Sequence, residues 1–194
     1  MAGIDAYRST LRSLTRGLWS GALDLDQFDS EMRSAMNRRL AQAWDEGAAE
    51  CGLKPDEYTI EEQTTIGRAI AAEIAELPEL EARIEENKKT IGGKLAPLLE
   101  RVSSLWANRY NDLKNQAKLL TCKDEKLEWI YGDTEHCTTC LALNGRVKRG
   151  STWAESGFQP QSPPNDMLEC GGWNCQCRLE PTDKPISKGP LPRR

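Results

Sequence analysis

Apolar residues recur at steps of three and four along most of the chain. Ile4, Tyr7, Leu11, Leu14 and Leu18 form one such stripe, which predicts a helix from Ile4 to Trp19 that Gly21 ends. Asp24-Leu-Asp-Gln27 has the form of a capping box. Phe28, Met32, Met36, Leu40, Ala43 and Trp44 continue from it as a second stripe, with Gly52 as its C′ stop. Pro55 begins a turn, and Thr59-Ile-Glu-Glu62 repeats the capping pattern. An acidic, Ala/Glu/Ile-rich stretch follows to Lys89, in which Pro78 predicts a break or kink. Gly92-Gly93 reads as a hinge. Beyond it Leu95, Leu98, Leu99, Val102, Leu105, Trp106, Tyr110, Leu113, Ala117 and Leu120 predict one long helix with a single apolar face.

The last third changes period. Leu127, Trp129 and Tyr131 alternate with polar residues, as in a strand. Leu141-Ala-Leu-Asn-Gly-Arg-Val147 sets Asn144-Gly145 between short apolar segments, which predicts a type I′ hairpin there. Gly150 to Pro164 reads as loop, and the proline-rich run from Pro181 reads as a flexible tail. The expected fold is mainly α. An elongated helical region over residues 1–121 precedes a small α+β Cys-rich module with a β-hairpin over 122–180, and a flexible C-terminal tail covers 181–194.

Charge narrows the function. Residues 1–121 carry 16 basic and 20 acidic side chains and residues 122–194 carry 10 of each, so neither part has the basic excess of a general nucleic-acid binder. Arg146, Lys148 and Arg149 cluster, as do Arg193 and Arg194, and ordinary solvated surface is the favoured reading of both groups. No run approaches the roughly 20 apolar residues of a membrane span. Met1-Ala-Gly-Ile-Asp5 lacks the basic and apolar regions of an export signal, so a soluble, cytosolic chain is expected.

Seven cysteines are present. Cys51 and Cys122 stand alone in helical or linker sequence, whereas Cys137, Cys140, Cys170, Cys175 and Cys177 fall within 41 residues. Confinement to one end argues for a metal over a secreted disulfide scaffold. Cys137-Thr-Thr-Cys140 has zinc-knuckle spacing, Cys175 and Cys177 would share one face of a strand, and Gly171-Gly172 can turn Cys170 back towards them. Five thiols compete for one tetrahedral structural zinc. The preferred set is Cys137, Cys140, Cys170 and Cys175, with Cys177 as substitute; a disulfide or mixed arrangement and free thiols are the alternatives. His136 reads as satisfied or solvent-facing, because adjacent residues rarely both reach one ion. Catalysis is not expected: the single His sits beside a candidate ligand, and no nucleotide-binding loop, zinc-protease or nucleophile-elbow motif occurs.

The order Trp129, Asp133, Cys137-Thr-Thr-Cys140, Leu143-Asn-Gly145, Pro163-Pro164 and Cys175-Gln-Cys177 resembles the conserved end of the Mu F-like family of phage minor head proteins, or head morphogenesis proteins. The helix carrying Arg109, Tyr110 and Asn111 is similar to the one preceding that module in the family. The family's His before the closing Cys pair is absent, and Cys170 is the nearby residue of ligand type. The resemblance implies a low-copy structural component of the virion, placed in the capsid interior or at the portal vertex after assembly in the host cytoplasm. It would bind the portal or the major capsid protein, with packaged DNA as a further contact and with no membrane or small-molecule substrate. Candidate anchors are Trp106, Tyr110 and Leu113 on the long helix and Trp153 and Trp173 near the module, Trp173 reading more readily as the module's miniature core. The alternative is a zinc-module adaptor that binds nucleic acid or a regulatory partner through Arg146, Lys148, Arg149 and Arg178.

Overall fold

The protein is described by a computed structural model over residues 2–90, 94–173 and 175–192; the Gly92-Gly93 hinge and the Arg193-Arg194 pair lie outside the described residues. It is mainly helical with one small sheet. In chain order it runs α1 (Ala2–Ser20), α2 (Leu25–Ala49), a 3-10 turn (Pro55–Glu57), α3 (Ile60–Ala75), α4 (Leu77–Lys89) and α5 (Leu95–Thr121). Then follow β1 (Lys126–Ile130), α6 (Thr138–Leu143), β2 (Val147–Arg149), α7 (Gly150–Ser156) and β3 (Arg178–Pro181).

The helix boundaries follow from local chemistry. The Asp24 carboxylate accepts the Gln27 N–H at 2.8 Å while the Gln27 side chain accepts the Asp24 N–H at 3.1 Å, a reciprocal cap for α2. Thr59 and Glu62 do the same for α3. Gly21 and Gly52 end α1 and α2 at φ of 76° and 77°, a region where a side chain would be strained. Pro78 sits in the first turn of α4, where its missing N–H has no intrahelical acceptor to lose, so the expected break falls between Ala75 and Leu77.

The chain forms two compact units, Met1–Ala43 with Gln63–Tyr110, and Trp44–Glu62 with Asn111–Arg194. In the first, Tyr7, Leu11, Leu14 and Leu18 of α1 are buried, as are Phe28, Met32, Met36 and Leu40 of α2 and Leu77, Leu80 and Ile84 of α4. Each set is the stripe its helix presents at steps of three and four. The Tyr7 and Tyr110 rings meet at 6.2 Å, and the Trp19 indole donates to Asn87 at 3.2 Å.

The second unit holds the sheet, ordered β2-β1-β3 with both pairings antiparallel. Its core gathers Leu127 and Trp129 from β1, Leu143 from α6, Trp153 from α7, Phe158, Leu168 and Leu179, with Cys122, Cys140, Cys175 and Cys177 among them. The Trp129 and Trp153 rings pack at 5.7 Å, and the Trp153 indole donates to the Leu127 carbonyl at 3.0 Å. Trp153 and Trp129 are therefore the module's core, and Trp173, expected in that role, is about half exposed.

Three expectations are corrected. The stretch from Gly150, expected as loop, opens as helix α7 over Gly150–Ser156, which buries Trp153. The segment before Asn144-Gly145 is helix α6, and β2 instead pairs with β1, Lys126 opposite Arg149 and Glu128 opposite Val147. Asn144 at φ −55°, ψ 131° and Gly145 at φ 73°, closed by the Arg146 N–H on the Leu143 carbonyl at 2.9 Å, make a type II turn. On a strand Leu141 and Leu143 would share a face; here Leu143 is buried and Leu141 is 55% exposed, as helical spacing allows. The segment after Pro181 has no regular structure, but it is not a free tail. Ser187 exchanges hydrogen bonds with Val147 at 2.9 Å in both directions, and Lys126, Arg146 and Lys148 donate to carbonyls between Asp183 and Gly189. The exposed edge of β2 needs backbone partners, and this segment supplies them.

Within the second unit Lys118 is 3% exposed and donates to the Leu179 carbonyl at 2.9 Å and to Glu50 at 2.5 Å, while Lys114 reaches the same carboxylate at 2.8 Å. Burial opposes ionisation of Glu50, but the two ammonium groups outweigh it and hold the carboxyl below its ordinary value of 4.5. A carboxylate so depressed stabilises the fold above its unfolded pKa and loses that contribution as pH falls through its folded value. Glu50→Gln is expected to lower the urea midpoint at pH 7 and to flatten the fall in stability below about pH 4.5; an acid limb parallel to the wild type would show that other groups govern it.

Candidate metal centre

The five clustered cysteines come from three segments that local chemistry folds onto one another. Cys137 is the N-cap of α6, its sulfur accepting the Cys140 N–H at 3.5 Å, so the two-residue spacing sets both thiols on the first turn. The Glu169 carboxylate accepts the Thr138 N–H at 2.8 Å, and the Glu169 N–H donates to Thr139 at 3.2 Å, which ties the Cys170 loop to that turn. Gly171 and Gly172, at φ of 61° and 80°, then reverse the chain. A Cβ on Gly172 would press on the backbone of Ser162 and Pro163. Cys175 and Cys177 precede β3 in chain without regular secondary structure, both buried and within 4.8 Å of Cys140 at their sulfurs.

All five thiols meet. They form two triads, Cys137–Cys140–Cys170 and Cys140–Cys175–Cys177, the sulfurs of each lying within 4.8 Å of one another. The cluster could hold a metal ion. His136 stands outside both triads but borders the second: its ring stacks on Tyr131 at 4.0 Å with an interplanar angle of 11°, and its Nδ1 is 3.7 Å from the Cys177 sulfur.

The surroundings divide the thiols, holding Cys137 and Cys177 below the ordinary thiol value and Cys140, Cys170 and Cys175 above it. The Cys140 amide donates to the Cys137 sulfur at 3.5 Å, and the backbone amides of Cys170, Gly172, Gln161 and Gly132 favour the thiolates of Cys137, Cys170, Cys175 and Cys177 in turn. The Trp129 indole N–H is buried without a hydrogen-bond partner and lies in the same core as Cys177, whose thiolate it favours. Thiols of Cys140 and Cys175 donating to Cys177, helped by that amide and indole, pull its pKa down to about 3. Donation to Cys175 and Cys177 drives Cys140 the other way, and burial pushes Cys170 up to about 11. Burial opposes ionisation of Cys137 too, but its two amide donors outweigh that and hold it low. Such charge-assisted N–H···S bonds favour the deprotonated form that ligates a metal.

Several positioning residues carry no signal in the sequence. Gln161 adopts φ 59°, uncommon for a side-chain-bearing residue, and its side chain donates to the Cys177 carbonyl at 2.7 Å while its amide serves Cys175. Glycine is required at 132, because a Cβ there would overlap the Gln176 carbonyl between the two cysteines. Gln161→Ala removes the side-chain bond from a buried carbonyl and is expected to cost about 1–3 kcal/mol. It should also weaken metal retention in a chelator competition; unchanged retention would mean that Cys175 and Cys177 hold their places without it. Cys51 and Cys122, which the sequence leaves solitary, are joined as a disulfide with Cα atoms 5.5 Å apart.

Other candidates are spoken for. Tyr110, Leu113 and Trp153 are buried and so cannot be surface anchors, which leaves half-buried Trp106 and exposed Trp173. Arg146, Lys148 and Arg149 donate to backbone carbonyls and Arg178 is paired with Glu180, so each residue of the suggested basic patch is engaged within its own unit. No helix among the described residues is long and apolar enough to cross a membrane. No family model, curated protein or solved structure matches the chain.

Proposed function

We propose that this chain is a structural minor head protein of a tailed phage or prophage, which binds the portal or the procapsid interior during head morphogenesis. Its Cys-rich module would be stapled by structural zinc. The observation that carries this reading is the coincidence of motif and architecture. Several residues on which the resemblance rests build the cluster or frame it: Cys137 and Cys140 on the α6 cap, Cys175 and Cys177 ahead of β3, Trp129 in the same core as Cys177, and Gly145 in the turn into β2. Thiolates with amide donors suit zinc, which takes sulfur ligands at about 2.3 Å and staples chain segments where little other core exists.

On this reading the module presents a defined surface with Trp173 exposed beside the cluster, and the protein acts by docking and not by catalysis. Contact with packaged DNA and a part in its delivery are secondary to that role. The rival, an adaptor on nucleic acid, is disfavoured because its four basic side chains are already engaged. The test is co-sedimentation of the tagged chain with particles assembled from its neighbouring portal and capsid genes. Retention at low copy number that disappears without portal is expected. A chain that stays free of particles, yet binds DNA in a salt-sensitive way, would replace this reading with the rival.

A further inference from the structure

We propose that the cluster holds two zinc-class divalent ions bridged by the Cys140 thiolate, one on Cys137, Cys140 and Cys170 and the other on Cys140, Cys175, Cys177 and His136. The inference rests on the zinc reading above and raises its count from one ion to two. A single tetrahedral ion would use four donors and strand one of the five assembled thiols, with His136 left idle beside Cys177. With zinc–sulfur bonds of about 2.3 Å, sulfurs on one ion lie about 3.8 Å apart. Each triad already lies within 4.8 Å, so a small contraction around its own ion completes it. His136 is held by Tyr131 with Nδ1 at 3.7 Å from the Cys177 sulfur, close to the separation that ligands of one zinc ion show.

Two further observations favour the pair. Adjacent residues rarely turn onto one ion, but two neighbouring ions let His136 serve the second while Cys137 serves the first. The amide donors are also distributed unevenly. Backbone amides favour the thiolates of Cys137, Cys170, Cys175 and Cys177, whereas Cys140 lies among the sulfurs of Cys137, Cys175 and Cys177 and is the one sulfur common to both triads. A thiolate shared by two cations has its charge neutralised by them and needs no amide. Formal charge agrees: two divalent ions on five thiolates leave one net negative charge, while one ion on four thiolates leaves two. In a partly buried site the smaller charge costs less. Cys137 and Cys170 are half-buried whereas Cys140, Cys175 and Cys177 are buried, so the fourth position of the first ion faces solvent and takes water.

Elemental analysis of the full chain, purified under reducing conditions and equilibrated with zinc, tests the count. Two zinc ions per chain are expected, and His136→Ala, which keeps all five thiols, should release one of them to a competing chelator about tenfold or more readily. Cobalt substitution tests the bridge. Its electron paramagnetic resonance signal should rise over the first equivalent and decline over the second, because spins coupled through one sulfur cancel. One zinc per chain at saturation, or a cobalt signal that grows in proportion to two equivalents, overturns the bridged pair while leaving structural zinc standing. A chain that retains no zinc removes both.

Discussion

On the zinc reading, chelation is expected to unfold the Cys-rich module while leaving most of the helical signal in place. Binding of structural zinc to a small module is worth on the order of 10–16 kcal/mol, which equals or exceeds the about 5–15 kcal/mol that holds a typical domain together. The module has little to set against that loss. Its core is two tryptophans, Phe158 and a few aliphatic side chains, with Cys140, Cys175 and Cys177 built into the same packing. Once the ions leave, mutual repulsion of thiolates, or their protonation within the core, replaces the bonds that joined the Cys137, Cys170 and Cys175 segments.

The readout lies in the molecule. Trp129 and Trp153 are fully buried against the cluster, so their near-ultraviolet dichroism should collapse and tryptophan emission should shift to the red. The far-ultraviolet helical signal should fall little, because α6 and α7 are short beside α1 to α5. Restoring zinc should restore both probes. Retention of the full near-ultraviolet signal after quantitative metal removal would show that the module folds on its apolar core alone.

What the sequence conveyed and what it withheld divide along the range of the interactions. Helix ends were legible because their signals are local: Asp24 and Gln27, Thr59 and Glu62, and Pro78 act within one turn of the boundary they set. The alternation of Leu127 and Trp129 was legible for the same reason. The convergence of the cysteines was readable as spacing, but its division into two triads depends on Gln161, Gly132 and Glu169, each placed by chain far away in sequence. Asn144-Gly145 predicts a hairpin where a type II turn forms, because the dipeptide suits both. What decides between them is the α6 cap made by Cys137 and Glu169, the latter 31 residues beyond Thr138. The segment after Pro181 looked free since proline denies it regular structure. Its docking comes from the unpaired edge of β2, which no property of the segment announces.

The same limit hid the Cys51–Cys122 disulfide, whose removal is the second large effect expected. The two residues are 71 positions apart, at the ends of α2 and α5, and nothing in either neighbourhood marks the other. Closing a loop of that length restricts the unfolded chain by about 4 kcal/mol on the loop-entropy account. Treating the wild type with reductant, or replacing both residues in Cys51→Ala/Cys122→Ala, should therefore lower its unfolding free energy by about that amount. Because Cys122 is itself buried, the reduced wild type is the cleaner comparison, and the double variant should respond no further to reductant. Thiol counting in denaturant without reductant, after chelation, should find the five cysteines of the cluster and not all seven. A count of seven, or a urea midpoint that reductant leaves unmoved, would remove the cross-link from the native protein. On the head-protein reading the increment has a natural timing. The bond is disfavoured in the reducing cytoplasm where heads assemble and favoured once a particle leaves the cell, so zinc would hold the module during assembly and the disulfide would stiffen the adjoining helix ends afterwards.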